Sequence, residues 1–436
     1  MSSTPSTPSS SRVLTGSHGL LLAVLFVMMG NGIMNPLLGL RAELEGFSTT
    51  TTGIVLSFFY IGLLAGAWVT RRMVVDVGHI RVYAALASLA STSTLLYILN
   101  TNPGVWSLAR LINGFAIGGL GIVGESWLNE IANNRTRGRL LSIYFVVLMG
   151  GLSSGQMLIL FGDPSGFALF VAASILLSIA VIPITLAPSA APTLIVHDKL
   201  PFGQVWRAAP LGVLVSFGQG IGSGALVTMG AVFAVQSGMS ADRVAWFTSI
   251  ALIGSVVLQP PIGILSDRLG RRRLIIATGL ICAAACLVMI NTDPLGWSAL
   301  LVSFVVGGFS LSMYPLALSH INDRVPPGSA VGVSSMVARL AGVGSVLGPL
   351  AGGPVMASGG PEALYWLIGL VFRIMALLGL VRIFAREGVP AGRRRPFVAI
   401  PTRASGVLVH MARRIRPPAG LGKRNRSEDQ PKEEAD

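Results

Sequence analysis

The stretch at residues 263–273 reads GILSDRLGRRR and separates two apolar blocks, at residues 244–265 and 274–291. Each block is close to the roughly 20 apolar residues that a helix needs to cross the hydrocarbon core of a bilayer. Five charged residues are confined to the short connection between the blocks, as in a loop that joins two transmembrane helices. This segment therefore predicts a pair of membrane-spanning helices.

Apolar blocks of the same kind recur along the whole chain. Of its 436 residues, 52% are hydrophobic and only 11% are charged, whereas a soluble domain carries about 25% charged residues. Too few charges remain to cover a water-facing surface, so we expect an all-α membrane protein with twelve transmembrane helices. The blocks lie at about residues 19–40, 50–70, 82–100, 105–128, 139–160, 166–187, 209–235, 244–265, 274–291, 296–320, 331–357 and 362–384.

Basic residues are unevenly distributed among the connections. With the N-terminus in the cytoplasm, the cytoplasmic connections carry thirteen Lys and Arg residues, and the opposite ones carry only Arg41 and Arg243. Cytoplasmic loops are enriched in these residues, so we expect a multi-pass protein of the cytoplasmic (inner) membrane with both termini in the cytoplasm. This bias accounts for the net charge of +14 without a nucleic-acid partner. The thirteen are Arg71, Arg72, Arg81, Arg135, Arg137, Arg139, Lys199, Arg207, Arg268, Arg271, Arg272, Arg273 and Arg324.

Composition divides the chain into five segments. Residues 1–18 are rich in Ser, Thr and Pro and are expected to be disordered in the cytoplasm. Six-helix bundles are expected at residues 19–187 and 209–385, joined by a cytoplasmic linker at 188–208 and followed by a basic cytoplasmic tail at 386–436. The tail suits the anionic lipids of the inner leaflet, or it is a solvated segment that only fixes the topology.

An internal repeat relates the two sets of six helices. At a fixed offset of 192 residues, five glycine pairs, two serine pairs and one arginine pair coincide without a gap. Two similar bundles can rock about a shared site near the midplane of the membrane, which gives alternating access. The pairs are Gly30/Gly222, Gly32/Gly224, Gly46/Gly238, Gly62/Gly254, Gly78/Gly270, Ser48/Ser240, Ser57/Ser249 and Arg81/Arg273.

The segment at 263–273 resembles the loop signature of the major facilitator superfamily, which lies between helices 2 and 3 and often again between helices 8 and 9. In such a loop Gly270 permits a tight turn, Asp267 interacts with a neighbouring helix N-terminus, and Arg268 and Arg271 hold the loop inside and pair across the bundles. The alternative is a basic loop that only fixes topology. The first-half counterpart departs from the signature, because Arg71 stands in place of its glycine.

Two further motifs are similar to patterns of this superfamily. Arg110-Leu111-Ile112-Asn113-Gly114 resembles a pattern whose arginine is linked to proton coupling in antiporters, with Asn in place of Gln. The glycines of residues 344–353 have an antiporter-type spacing, but they fall in block eleven and not in block five. Small residues at such spacings are first of all helix-packing devices. The resemblance covers residues 19–385 and implies two pseudo-symmetric six-helix bundles.

In this superfamily helices 1, 4, 7 and 10 line the central cavity, which makes five buried polar residues candidates for binding substrate. Their side chains need hydrogen-bond partners, which a polar substrate or cavity water supplies, although packing between helices is the alternative for each of them. The candidates are Asn31, Asn35, Asn113, Gln219 and Tyr314.

Charged residues inside a membrane span are costly to bury, so they are candidates for a functional role. Glu125 is the carboxylate that lies well inside a block, about one helical turn from the cytoplasmic end, and Arg339 lies about two turns from the same end. We hypothesise that these two residues face each other and close the cytoplasmic end of the transport path. The alternative is that each side chain extends separately to the membrane interface. Arg110 lies roughly 22 Å from Glu125 along the helix, too far for a direct pair.

These features predict a secondary active transporter that moves a small solute, with proton coupling as an open option. The alternative is a non-transporting sensor or scaffold derived from a transporter. The sequence shows no nucleotide-binding loop, no metal-ligand cluster and no nucleophile elbow, so we expect no cofactor, no metal, no catalytic residue and no enzymatic activity. The expected partners are a small-molecule substrate, protons and the lipid bilayer, and we expect a monomer.

Overall fold

The computed structural model describes residues 10–131, 137–186, 201–326 and 329–385. Within these residues the chain forms fourteen α-helices and a short 3-10 helix at Leu158–Phe161. The α-helices are α1 (Ser10–Leu44), α2 (Thr49–Val77), α3 (His79–Leu99), α4 (Pro103–Ile131), α5 (Arg137–Met157), α6 (Ala168–Ile179), α7 (Val181–Thr185), α8 (Phe202–Ala208), α9 (Pro210–Gln236), α10 (Ala241–Leu269), α11 (Arg271–Ile290), α12 (Trp297–Asn322), α13 (Ala330–Gly359) and α14 (Ala363–Ala385).

The described helices contain twelve spans that are long and apolar enough to cross a membrane. Helices α6 and α7 together make one of these spans, Ala168–Thr185, and α8 is too short to be one. Helices suit this setting because they satisfy their own backbone hydrogen bonds where no water is available. The prediction of an all-α membrane protein with twelve spans is confirmed.

The spans are grouped as two bundles. Helix α2 packs on α4 and α1 packs on α5 in the first bundle, while α10 packs on α12 and α13 packs on α9 in the second. The repeat recurs in the backbone, since Gly78 and Gly270 have φ of +92° and +99°, and Gly46 and Gly238 have φ of +70° and +80°. Glycine adopts these conformations without the strain that a side chain would bring.

The predicted segment bounds remain predictions. Helix α1 begins at Ser10, within the segment predicted to be disordered (1–18), and α8 lies within the predicted linker (188–208). The expectations for residues 1–9, for 187–200 and for the tail at 386–436 fall outside the described residues.

Glycines set the spacing between the helices of each bundle. A Cβ atom on Gly62 of α2 would fall on the carbonyl oxygen of Leu111 of α4. At the equivalent position of the second bundle, a Cβ on Gly254 of α10 would fall on the carbonyl oxygen of Phe304 of α12. Membrane helices associate through such close backbone approach. The 192-residue repeat is therefore also a repeat of packing contacts.

Two glycines of α4 offer a matched test of this packing. We expect Gly118→Ala to destabilise the protein, since its Cβ would meet the backbone of Leu63, and overpacking of this kind costs about 1–3 kcal/mol. Gly121→Ala is the control, because nothing lies within 4 Å of a Cβ at that position. Thermal unfolding of the purified variants measures both, and an equal loss of stability in the two would contradict this account of the packing.

Candidate functional site

The interface between the bundles is tight at one end of the molecule. A Cβ on Gly53 of α2 would fall on the carbonyl oxygen of Pro349 and close to Gly353, both on α13. Nearby, Gln236 of the second bundle donates a hydrogen bond through Nε2 to Thr49 Oγ1 of the first (2.8 Å). We call this end, with the turns at 45–48 and 237–240, the closed end; the other end, with the connections at 71–81 and 268–273, is the basic end.

Helices α5 and α10 complete the contact at the closed end. The Ser249 hydroxyl of α10 lies within hydrogen-bonding distance of the Ser153 carbonyl oxygen (3.2 Å) and of Gln156 Oε1 (3.1 Å) on α5. Gln156 and Phe247 also line a cavity of about 20 Å³, which is room for one water molecule. The sequence alone does not indicate a gating role for these residues, because uncharged polar residues carry no distinctive signal in a membrane helix.

Arg110 of α4 is enclosed in the first bundle with no accessible surface. Its Nη2 donates a hydrogen bond to Asn35 Oδ1 of α1 (2.8 Å). The guanidinium carbon lies 4.7 Å from the centre of the Phe59 ring on α2, a cation–π arrangement. The phenol groups of Tyr60 and Tyr97 are close enough to interact with its charge. The structure thus brings together Arg110 and Asn35, which the sequence proposed separately.

The two remaining amide candidates of the first bundle extend this cluster towards the basic end. Asn31 lies one turn from Asn35 on α1, and Asn113 lies one turn from Arg110 on α4. Asn113 Nδ2 donates to Ser93 Oγ (3.3 Å). Neither Asn31 Oδ1 nor Asn113 Oδ1 has a hydrogen-bond partner among the described residues. The four side chains form a polar cluster that has unused hydrogen-bonding capacity.

The second bundle holds the other two cavity candidates. Gln219 of α9 and Tyr314 of α12 are both inaccessible to solvent. Within the described part of the chain, neither amide atom of Gln219 has a hydrogen-bond partner. Their role in substrate binding stays a prediction.

Arg271 organises the signature loop at the basic end. Its guanidinium contacts Asp267 at the end of α10 (2.5 Å) and Asp323, just after α12 (3.3 Å), and it also donates to Ser266 Oγ. The side chains of Arg271 and Asp323 are 3% and 1% exposed, whereas that of Asp267 is 37% exposed. Arg268 is exposed. Asp323 cannot be recognised from the sequence, where it looks like an ordinary loop acid.

The first bundle replaces this ion network with a neutral contact. His79 stands where the repeat has Arg271, and its Nε2 lies 3.1 Å from Ser126 Oγ of α4. The first-half counterpart of the signature loop therefore still connects α3 to α4, but through a hydrogen-bonding contact and not through ion pairs.

Glu125 is buried near the basic end of α4. It interacts electrostatically with Arg71 of α2, which also interacts with Arg339 of α13. Arg339 is exposed, and its Nε donates to the Ser335 carbonyl oxygen (3.1 Å). Arg71, which the sequence analysis treated as a topology signal, therefore belongs to the same charged group as the two predicted gate residues.

The chain matches a family of membrane transporters. A family model described as Major Facilitator Superfamily matches residues 20–242 and 212–416. The chain belongs to this superfamily, and the resemblance inferred from the sequence is confirmed.

Individual relatives are similar over most of their length. The uncharacterized MFS-type transporter YfkF of Bacillus subtilis (strain 168) is 26% identical over 364 residues, which cover 81% of this chain and 92% of YfkF. The uncharacterized MFS-type transporter Ent638_1421 of Enterobacter sp. (strain 638) is 26% identical over 82% of this chain and 94% of its own length.

Solved structures of the nucleoside transporter NupG share the fold. A mutant of NupG has a TM-score of 0.71 at 16% identity and covers 84% of this chain and 99% of its own. A second NupG structure has a TM-score of 0.66 at 18% identity, with 85% and 98% coverage.

The two carboxylates of the Arg271 network provide a test of its energetics. We expect Asp323→Asn to lower stability by about 1.5–3 kcal/mol, because it removes the buried one of the two carboxylates that pair with Arg271. Asp267→Asn is the matched control, since a partly exposed pair contributes about 0–1 kcal/mol. Thermal unfolding in one detergent compares them, and a larger loss for Asp267→Asn would refute this ranking.

Proposed function

We propose that this protein is a secondary active transporter that moves a small solute across the cytoplasmic membrane by alternating access. The observation that carries the proposal is the asymmetry of the bundle interface. The closed end is sealed by backbone contacts at Gly53 and by the bond between Gln236 and Thr49, whereas Arg71 and Arg339 are exposed at the basic end. Such asymmetry is expected of one half of a transport cycle.

The distribution of basic residues supports the orientation we propose. The connections at the basic end carry thirteen Lys and Arg residues and the opposite connections carry two, so we propose that this end faces the cytoplasm and that the closed end faces outwards. Both termini are then cytoplasmic. In this orientation Arg110 lies about 10 Å along α4 from the closed end.

We also propose that transport is coupled to protons. Glu125 is a buried carboxylate within a predicted span, and such groups serve as proton carriers in transporters. Arg71, Arg339 and the Tyr144 hydroxyl form its charged and titratable surroundings. If Glu125 carries the proton, an imposed pH gradient will drive solute accumulation in proteoliposomes and Glu125→Gln will abolish this drive.

Locking the closed end tests alternating access. We expect a double variant, Thr49→Cys with Gln236→Cys, to lose transport when a short bis-methanethiosulfonate reagent links the two cysteines through disulfides, and to regain it when the disulfides are reduced. The background carries Cys282→Ala and Cys286→Ala, which removes both native thiols. Proteoliposomes are given a mixture of carboxylates, phosphorylated sugars, amino acids, sugars and nucleosides, and uptake is measured by mass spectrometry.

One control and two contradicting outcomes complete this experiment. Each single-cysteine variant should transport normally after the same treatment. Transport that persists in the linked protein would refute alternating access. An absence of flux for every solute before linking would refute the carrier function and favour the sensor or scaffold alternative.

The charged group at the basic end gives a separate test of gating. We propose that Glu125 interacts with Arg71 while the basic end is open and with Arg339 when it closes. Glu125→Arg and Arg339→Glu should each reduce transport several-fold, and the double exchange should recover a substantial part of it. Arg72→Glu in the Glu125→Arg background is the control, because Arg72 lies over the Trp68 ring at 5.0 Å. Recovery no better than in this control would contradict the pairing.

A further inference from the structure

Arg110 is a fully buried cation, and no carboxylate is among the described groups that interact with it. It hydrogen-bonds to the Asn35 amide oxygen and lies over the Phe59 ring. The titratable groups that interact with it are the phenols of Tyr60 and Tyr97, and the Tyr97 hydroxyl is also close enough to share a side-chain hydrogen bond with it. Among the described residues, its Nε and Nη1 have no hydrogen-bond partner.

This arrangement leaves the charge without a compensating carboxylate among the described residues. A buried ion loses its hydration, and an amide, two phenols and an aromatic ring offset that loss only in part. Arg110 lies seven residues from the start of α4, about 10 Å along the helix. It is therefore well inside the membrane span and not at its end. Glu125 cannot neutralise it, since it lies roughly 22 Å further along the same helix.

The unpaired donors of the guanidinium have a defined chemical complement. Nε and Nη1 point to different sides of the group, and each can donate a charge-assisted hydrogen bond to an oxygen of a carboxylate or phosphate. Unpaired Oδ1 atoms of Asn31 and Asn113 lie one helical turn away on α1 and α4. They accept hydrogen bonds, so they suit hydroxyl or amine groups that accompany the anionic group of a solute.

We infer that Arg110 is the binding residue for the oxyanion of the transported solute, with Asn31, Asn35 and Asn113 binding its neutral polar part. The cargo is then a small carboxylate or phosphate ester. This inference rests on the transport function proposed above. A nucleoside lacks such an oxyanion, so this cluster distinguishes the cargo from that named for NupG.

Thermal unfolding of the purified protein tests binding without any transport. The probes are sodium succinate, inorganic phosphate, glycerol 3-phosphate and uridine, at constant ionic strength set with sodium chloride. We expect at least one oxyanion probe to raise the Tm of the wild type in a concentration-dependent way, because a ligand that binds only the folded state stabilises it. Uridine should have no effect. The carboxylate and phosphate arms identify which oxyanion is preferred.

Three variants assign the effect to Arg110. Arg110→Gln should lose the protection by the oxyanion, Arg110→Lys should retain part of it, and Arg72→Gln, which removes an exposed arginine, should behave as the wild type. In addition, Arg110→Met should have a higher Tm than the wild type without ligand, because it removes a buried charge that no carboxylate compensates among the described residues.

Two results would overturn the inference. One is a wild type that no oxyanion probe protects through Arg110. The other is a lower Tm for Arg110→Met without ligand, since this would mean that Arg110 is a structural residue satisfied by its neutral neighbours. Failure of the transport proposal can be told apart from failure of this inference. If an oxyanion binds through Arg110 but no solute moves in proteoliposomes, the binding site stands and the carrier function is refuted.

Discussion

The structure depends on one constraint of the bilayer: helix faces cannot be held together by burial of apolar surface from water, so backbones must approach closely. Glycine makes this possible where α2 meets α4 and where α10 meets α12. The same device operates between the bundles, where Gly53 of α2 meets Pro349 and Gly353 of α13. Close packing therefore both builds the bundles and seals one end of the space between them.

Contacts within a bundle and contacts between the bundles differ in the further interactions that accompany them. Within a bundle, glycine contacts extend along α2 and α4 at Gly62, Gly66, Gly114 and Gly118, which makes the bundle a rigid unit. Between the bundles, the closed end adds only isolated polar contacts such as Gln236 with Thr49 and Ser249 with Gln156. An uncharged hydrogen bond contributes only about 0.5–1.5 kcal/mol, so these contacts can be exchanged for others during a cycle.

The fold could be predicted from the sequence because its signals are local. Apolar length and the placement of Lys and Arg gave twelve spans, and Gly78 and Gly270 marked equivalent turns of the repeat. The site could be predicted only in part, because its contacts join distant residues. Arg110 and Asn35 were both named, yet their hydrogen bond spans 75 positions. Asp323 and Arg71 were missed as partners, since a loop acid and a topogenic arginine give no sign of what they will contact.

The central claim is that two rigid bundles rock about a shared polar site, and interspin distances in lipid nanodiscs test it most directly. One label pair, at Leu44 and Leu295, reports on the closed end, and another, at Val75 and Leu269, reports on the basic end; all four side chains are exposed. The account predicts two populations whose distances change in opposite directions at the two ends as pH is varied or an oxyanion is added. A single narrow distance for both pairs under every condition, or distances that lengthen together, would contradict it.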